Sequence, residues 1–132
     1  RLEKGHVIVG QDTDSESNLL SARMGWTIKD DKPDYVGKLA VPHLQVREKL
    51  VGFTADVLPP EGAQVVRDGR IAGRVTSARL SERVGGVIGL AWVDPDCAEE
   101  GSAISIRVDG AAHRASVTLA PFYDPEGALL RS

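Results

Sequence analysis

The residues able to do chemistry are spread along the chain rather than gathered in one motif. Asp12, Asp14 and Glu16 occupy alternate positions of a polar run, and a calcium loop also draws its carboxylates from alternate positions. This run lacks the mid-loop glycine and closing glutamate of that pattern, so it reads as an Asx-rich surface turn. His6, His43 and His113 have no partner one helical turn away, and a metal site would need the fold to collect them; none is expected. Ser77 and Ser105 lack the strand–turn–helix setting of an exposed nucleophile. Gly69 and Gly73 are not followed by the Lys-Ser/Thr pair of a phosphate loop and read as backbone geometry.

One charged series has a binding chemistry. Arg67, Arg70, Arg74, Arg79 and Arg83 could rim a site for a carboxylate or phosphate, which guanidinium grips with paired hydrogen bonds. The favoured reading is a solvated face, paired with neighbours such as Asp68 and Glu82. Trp26 and Trp92 read as core anchors rather than stacking platforms. No catalytic residue is expected.

The elements that must position these side chains are strands. Asp68-Gly69 and Asp109-Gly110 are tight-turn pairs, because glycine accepts positive φ without a Cβ clash. Strands are predicted over 49–57, 63–66, 71–79, 87–93, 103–108 and 112–119. Along 71–79, Ile71, Gly73, Val75, Ser77 and Arg79 alternate with Ala72, Arg74, Thr76 and Ala78, and Leu80 to Arg83 break the pattern. Val87 to Val93 is almost wholly apolar, which predicts a strand buried on both faces or one crossing a closed barrel. Pro59-Pro60 ends the first strand, since proline cannot continue a ladder. About six short strands predict a mainly β chain with a small antiparallel barrel from residue 48 to about 120. Residues 1–47 precede it as an irregular, partly helical segment. Val7–Val9 is strand-like there. Leu19–Trp26 suits about two helical turns stopped at Gly25, and a single turn is placed near Leu39. Residues 121–127 read as an irregular tail.

Composition narrows the class. The charge of 16 − 19 = −3 gives no electrostatic case for nucleic acid or an anionic membrane. No apolar run reaches membrane-spanning length. The single cysteine, Cys97, has no internal disulfide partner and fits a reducing, cytoplasmic setting. The chain opens at Arg1 without methionine, so a piece of a longer protein is expected.

Three ordered stretches carry a resemblance. Arg1-Leu-Glu-Lys-Gly-His-Val-Ile-Val-Gly-Gln-Asp-Thr-Asp14, Met24-Gly-Trp26 and Lys32-Pro-Asp-Tyr-Val-Gly-Lys38 resemble the glycine cleavage T-protein (aminomethyltransferase) superfamily. Within that superfamily, the form Gly10-Gln-Asp-Thr-Asp14 and the tail Pro121-Phe-Tyr-Asp-Pro-Glu-Gly127 resemble more closely the α subunit of heterotetrameric sarcosine oxidase. The resemblance implies tetrahydrofolate as acceptor of a one-carbon unit from an N-methyl amine, within an oxidoreductase that turns sarcosine into glycine. It implies FAD, FMN and NAD on other domains or subunits. The family's acidic residue near the folate and its folate-binding arginine would both lie upstream of Arg1. Tyr123 sits near the family's C-terminal folate-contacting tyrosine, at a different spacing. Ser15 to Leu20 depart from the Gly and Thr-Pro usual after Asp14. Residues 1–47 are then expected to be the remnant of a folate-binding domain and its linker, and 48–132 the C-terminal barrel with its tail. The expected partners are the upstream domain and other subunits, and the isolated chain is expected to be inactive. Two other readings stand beside this one: a true glycine cleavage aminomethyltransferase, and a barrel used only for subunit contact.

Overall fold

A computed structural model describes residues 1–131. Its only regular elements besides short 3-10 turns are six strands: β1 (Lys49–Ala55), β2 (Gln64–Arg67), β3 (Arg70–Ser81), β4 (Gly86–Val93), β5 (Ala103–Val108) and β6 (Ala111–Thr118). They close an antiparallel barrel in the order β1-β4-β3-β2-β5-β6, with β6 returning to β1. Closure leaves no free sheet edge. The two Asp-Gly pairs make the β2–β3 and β5–β6 turns, with φ of 50° and 76° at Asp68-Gly69 and 49° and 79° at Asp109-Gly110.

β4 is buried on both faces, and this divides the apolar side chains into two clusters. Val87, Ala91 and Val93 point into the barrel with Val51, Phe53, Val65, Val75, Ile104, Ile106 and Val117. Ile88, Leu90 and Trp92 point outward with Leu50, and Leu2 and Ala22 of the N-terminal segment cover them. Gly89 is needed between the two, because a Cβ there would stand 2.3 Å from Phe53 Cζ.

Simple alternation fails along β3. A bulge between Val75 and Ser77 leaves Thr76 unpaired, since Val75 faces Ala91 and Ser77 faces Leu90. Val75 and Ala78, three residues apart, therefore both enter the interior. Thr76 and Ser77 are buried outside the barrel, beneath the N-terminal segment. The strand also runs on through Leu80 to Ser81, past the break expected there, while β1 stops two residues short of Val57.

The N-terminal segment departs further from expectation. Val7–Val9 is no strand; only an isolated bridge joins Val9 to Thr13. Leu19–Trp26 does not form two helical turns. Asn18 Oδ1 accepts the Leu20 and Ser21 N–H groups, but the turn closes within five residues. Arg23 N–H bonds Leu20 O, Met24 N–H bonds Leu19 O, and Arg23 is left-handed at φ 59°. That pairing is the Schellman closure, so the stop falls at Arg23 rather than at Gly25. Gly25–Thr27 and Val41–His43 are single 3-10 turns. Trp26 is 81% exposed, against the core position expected of it, because it follows the closure and lies outside both apolar clusters.

Candidate functional site

The N-terminal segment is mounted on the barrel by one buried carboxylate. Asp12 is fully buried. Its Oδ1 accepts Thr76 Oγ1–H at 2.6 Å and Ser77 Oγ–H at 2.5 Å, and its Oδ2 accepts Ile8 N–H at 2.8 Å and Arg1 Nη1–H at 2.9 Å. Its backbone carbonyl accepts Trp92 Nε1–H at 2.8 Å. Burial pushes the carboxyl pKa up, but the hydrogen bonds from Ser77, Thr76 and Ile8 and the charge of Arg1 outweigh it and hold it below the ordinary carboxylate value. Asp12 is thus not the surface residue its neighbourhood suggested. Asp14 is: its Oδ1 caps the local turn by accepting the Glu16 and Ser17 N–H groups. The β3 bulge makes the Asp12 contact possible by turning two successive hydroxyls outward.

Beside this mount lies a cleft of about 560 Å³. The N-terminal segment walls one side, β1 and β4 make the floor, and the tail after β6 walls the other. The floor is apolar, with Leu50, Gly52 and Leu90, and Met24 and Phe122 flank it. Phe122 seats on Gly52, where a Cβ would meet Phe122 Cζ at 2.8 Å. Lys4 and Arg23 supply positive groups, His6 an imidazole, and Trp26 stands at the mouth. The tail is held in part by Tyr123 N–H donating to Glu3 O at 3.0 Å, by Lys4 Nζ bonding Asp124 O, and by the Arg83 guanidinium stacked 5.1 Å from the Tyr123 ring centroid. The cleft therefore combines an exposed indole, an apolar floor and cations, which suits a flat ligand carrying an acid.

The residues singled out in the sequence are mostly not brought together. Of the arginine series, Arg74 pairs with Glu48 at 3.0 Å, Arg67 donates to Asp96 O at 2.8 Å, Arg79 donates to Ala78 O and Arg83 lies on Tyr123. They form no common rim: Arg67 pairs with Asp68 at 3.9 Å as expected, while the other partners named here are Glu48, backbone carbonyls and the Tyr123 ring rather than Glu82. His6 is at the cleft, His43 in the exposed 41–43 turn and His113 on β6. Ser77 is spent on Asp12, and Ser105 lies on β5. Tyr123 does not line the cleft; it sits one residue beyond the wall residue Phe122. Lys4, Arg23 and Trp26 were not singled out as binding residues, and no signal in a single sequence marks them.

Residues 48–124 match the glycine cleavage T-protein C-terminal barrel domain. An aminomethyltransferase of Nostoc sp. is 33% identical over 129 residues, which cover 93% of this chain and 34% of that protein. One from Halothermothrix orenii is 36% identical, covering 92% of this chain and 36% of that protein. The chain thus spans about a third of the length of these curated relatives. The crystal structure of glycine cleavage system aminomethyltransferase T from Bartonella henselae shares the fold, with a TM-score of 0.84 and 22% identity over 95% of this chain and 37% of that one.

Proposed function

Because the chain belongs to the glycine cleavage T-protein family through its C-terminal barrel domain, we propose that it is the C-terminal part of an aminomethyltransferase-type protein that works with tetrahydrofolate. The observation that carries this reading is the run of relatives named aminomethyltransferase, each matched over more than nine-tenths of this chain at 33–36% identity. In this reading tetrahydrofolate supplies the acceptor nitrogens for the one-carbon unit. The cleft fits such a molecule: Trp26 and Phe122 offer aromatic faces, Leu50 and Leu90 an apolar floor, and Lys4, His6 and Arg23 face its carboxylates. Tyr123 enters as the residue behind Phe122, through which Arg83 steadies the tail wall. Residues 1–47 belong in this reading to a neighbouring folate-binding domain and its linker, which is the partner that covers Val9, Val36 and Leu39, all well exposed here. The buried, unpaired thiol of Cys97 suits a cytoplasmic setting. The test is turnover by the intact parent protein: methylene transfer to tetrahydrofolate from an aminomethyl donor supports the reading, and its absence under folate saturation refutes it.

A second reading keeps the same barrel and changes the parent. The Gly10–Asp14 form and the Pro121–Gly127 tail favour a sarcosine-oxidase-type α subunit, an oxidoreductase whose FAD, FMN and NAD would sit on other domains or subunits. The length of the encoding gene separates the two, since an oxidase subunit carries a long dinucleotide-binding region and an aminomethyltransferase does not.

A further inference from the structure

The cleft differs from the rest of the surface in charge. The chain has 19 Asp and Glu against 16 Lys and Arg, yet no Asp or Glu lines the cleft while Lys4 and Arg23 do, with His6 beside them. These three are not equivalent. Lys4 is engaged by Asp124, through its carbonyl and through its carboxylate at 3.6 Å. His6 is exposed at the rim. Arg23 stands apart in its backbone and in its head group.

Its backbone is left-handed, at the position of a Schellman closure that glycine normally fills. A side chain held in that conformation is strained, and such strain concentrates at ligand sites. The Arg23 side chain lines the cleft. The guanidinium uses one Nη2–H on Leu119 O at 2.7 Å, a neutral acceptor. Among the described residues it forms no salt bridge, and Glu100 acts on it only from beyond contact range. Arg23 is exposed as a whole, and partial desolvation of its head group lowers its pKa, with Glu100 opposing. Arginine carries five N–H donors, and one hydrogen bond to a carbonyl leaves a fork free for a carboxylate.

We infer that Arg23 receives the carboxylate of the cleft's ligand, an aromatic or heteroaromatic acid whose flat body lies between Trp26 and Phe122. This rests on the reading of the cleft as a ligand site given above. Arg23 sets specificity for the acid, and the apolar floor binds the body whether or not an acid is attached.

The test is an amide NMR titration of the full chain, followed at the Trp26 indole N–H and at Gly52. Two probes are used: 4-aminobenzoylglutamate, and its diamide, which keeps the shape and loses the charge. The wild-type chain should bind the acid about tenfold more tightly than the diamide, the size of one charge-assisted hydrogen bond. Arg23→Gln keeps a long polar side chain on the same backbone and removes the charge. It should abolish the preference and leave the affinity for the diamide unchanged, and Arg23→Lys should restore part of it. An equal loss for both probes in Arg23→Gln would mean a purely structural role and would overturn the assignment. So would a preference that survives in Arg23→Gln, or a wild-type chain that binds neither probe or both alike. Turnover with tetrahydrofolate is measured separately: a preference that depends on Arg23 in a protein that does not use folate leaves this inference standing and removes the folate reading.

Discussion

Replacing Asp12 tests the mount on which the N-terminal segment depends. Asp12→Ala removes an acceptor from four donors at once: Ile8 N–H, Arg1, Thr76 and Ser77. Their losses are unequal. Arg1 has a side chain 33% exposed and rehydrates. Thr76 already has a weaker acceptor in Leu90 O at 3.3 Å and can turn to it. Ser77 and Ile8 N–H have less to turn to, and an unmatched buried donor costs about 1–3 kcal/mol. The total comes to about 3–5 kcal/mol, the range seen when one member of a buried charged pair is removed. With an m-value of about 1.5 kcal/mol/M, the urea midpoint should fall by about 2–3 M. Trp92 reports directly, because its indole donates to the Asp12 carbonyl; a Trp26→Phe background removes the exposed indole's signal. Asp12→Asn should fall between the two. Its carbonyl oxygen still accepts from Thr76 and Ser77, but its NH2 then faces Arg1 and Ile8 N–H, donor against donor.

The same residue has a pH signature. Its folded pKa lies below the ordinary carboxylate value of 3.8, so its stabilisation is complete above that value and is lost as pH falls through the depressed folded pKa. Wild type should therefore lose stability on acidification below about pH 4, and Asp12→Ala should show a flatter acid limb. An Asp12→Asn as stable as wild type would show that the carboxylate's charge is not used, and a loss under about 1 kcal/mol in Asp12→Ala at pH 7 would show that the mount is apolar contact alone.

Trp92→Ala should cost about 3–5 kcal/mol, since the ring is 5% exposed and packs with Leu50, Ile88 and Leu90; a loss below about 1 kcal/mol in urea unfolding would contradict that packing. Gly89→Ala should destabilise by at least about 1–3 kcal/mol through overpacking, because its Cβ would fall 2.3 Å from Phe53 Cζ and 2.5 Å from Ser77 O; an unchanged Tm would mean that Phe53 has room to move. The 132-residue chain alone should show neither methylene transfer to tetrahydrofolate nor sarcosine oxidation, and turnover above buffer with folate and flavins added would sink that expectation. Amides of residues 28–44 should exchange faster than those of β4, since they carry only isolated turn bonds; equal protection would show a segment ordered as firmly as the barrel.

The barrel was legible because its signals are local. Asp-Gly pairs demand the tight turns they make, and the apolar run Val87–Val93 has only one strand reading. The division of that run between two cores was not legible, because it depends on Leu2 and Ala22 returning to cover its outer face. Trp26 and Trp92 show the same limit. Both are large aromatics, and only the Schellman closure at Arg23 turns one of them out to the cleft. Asp12 lies in a run whose composition describes a surface turn, and for Asp14 that description holds.

What separates Asp12 from Asp14 is the bulge at Thr76, and the bulge joins the fold to the candidate site. With strict alternation along β3, a residue next to Val75 would face outward and the one after it inward. Thr76 and Ser77 could not then both reach Asp12. One extra residue in the strand turns two hydroxyls toward one carboxylate. The carboxylate in turn holds Ile8 N–H and Arg1, and through its carbonyl it fixes Trp92, whose side chain packs with Leu90 in the cluster beneath the cleft. The position of Lys4, His6 and the segment leading to Arg23 over the outer face of β4 thus follows from a backbone irregularity that no periodicity in the sequence announces.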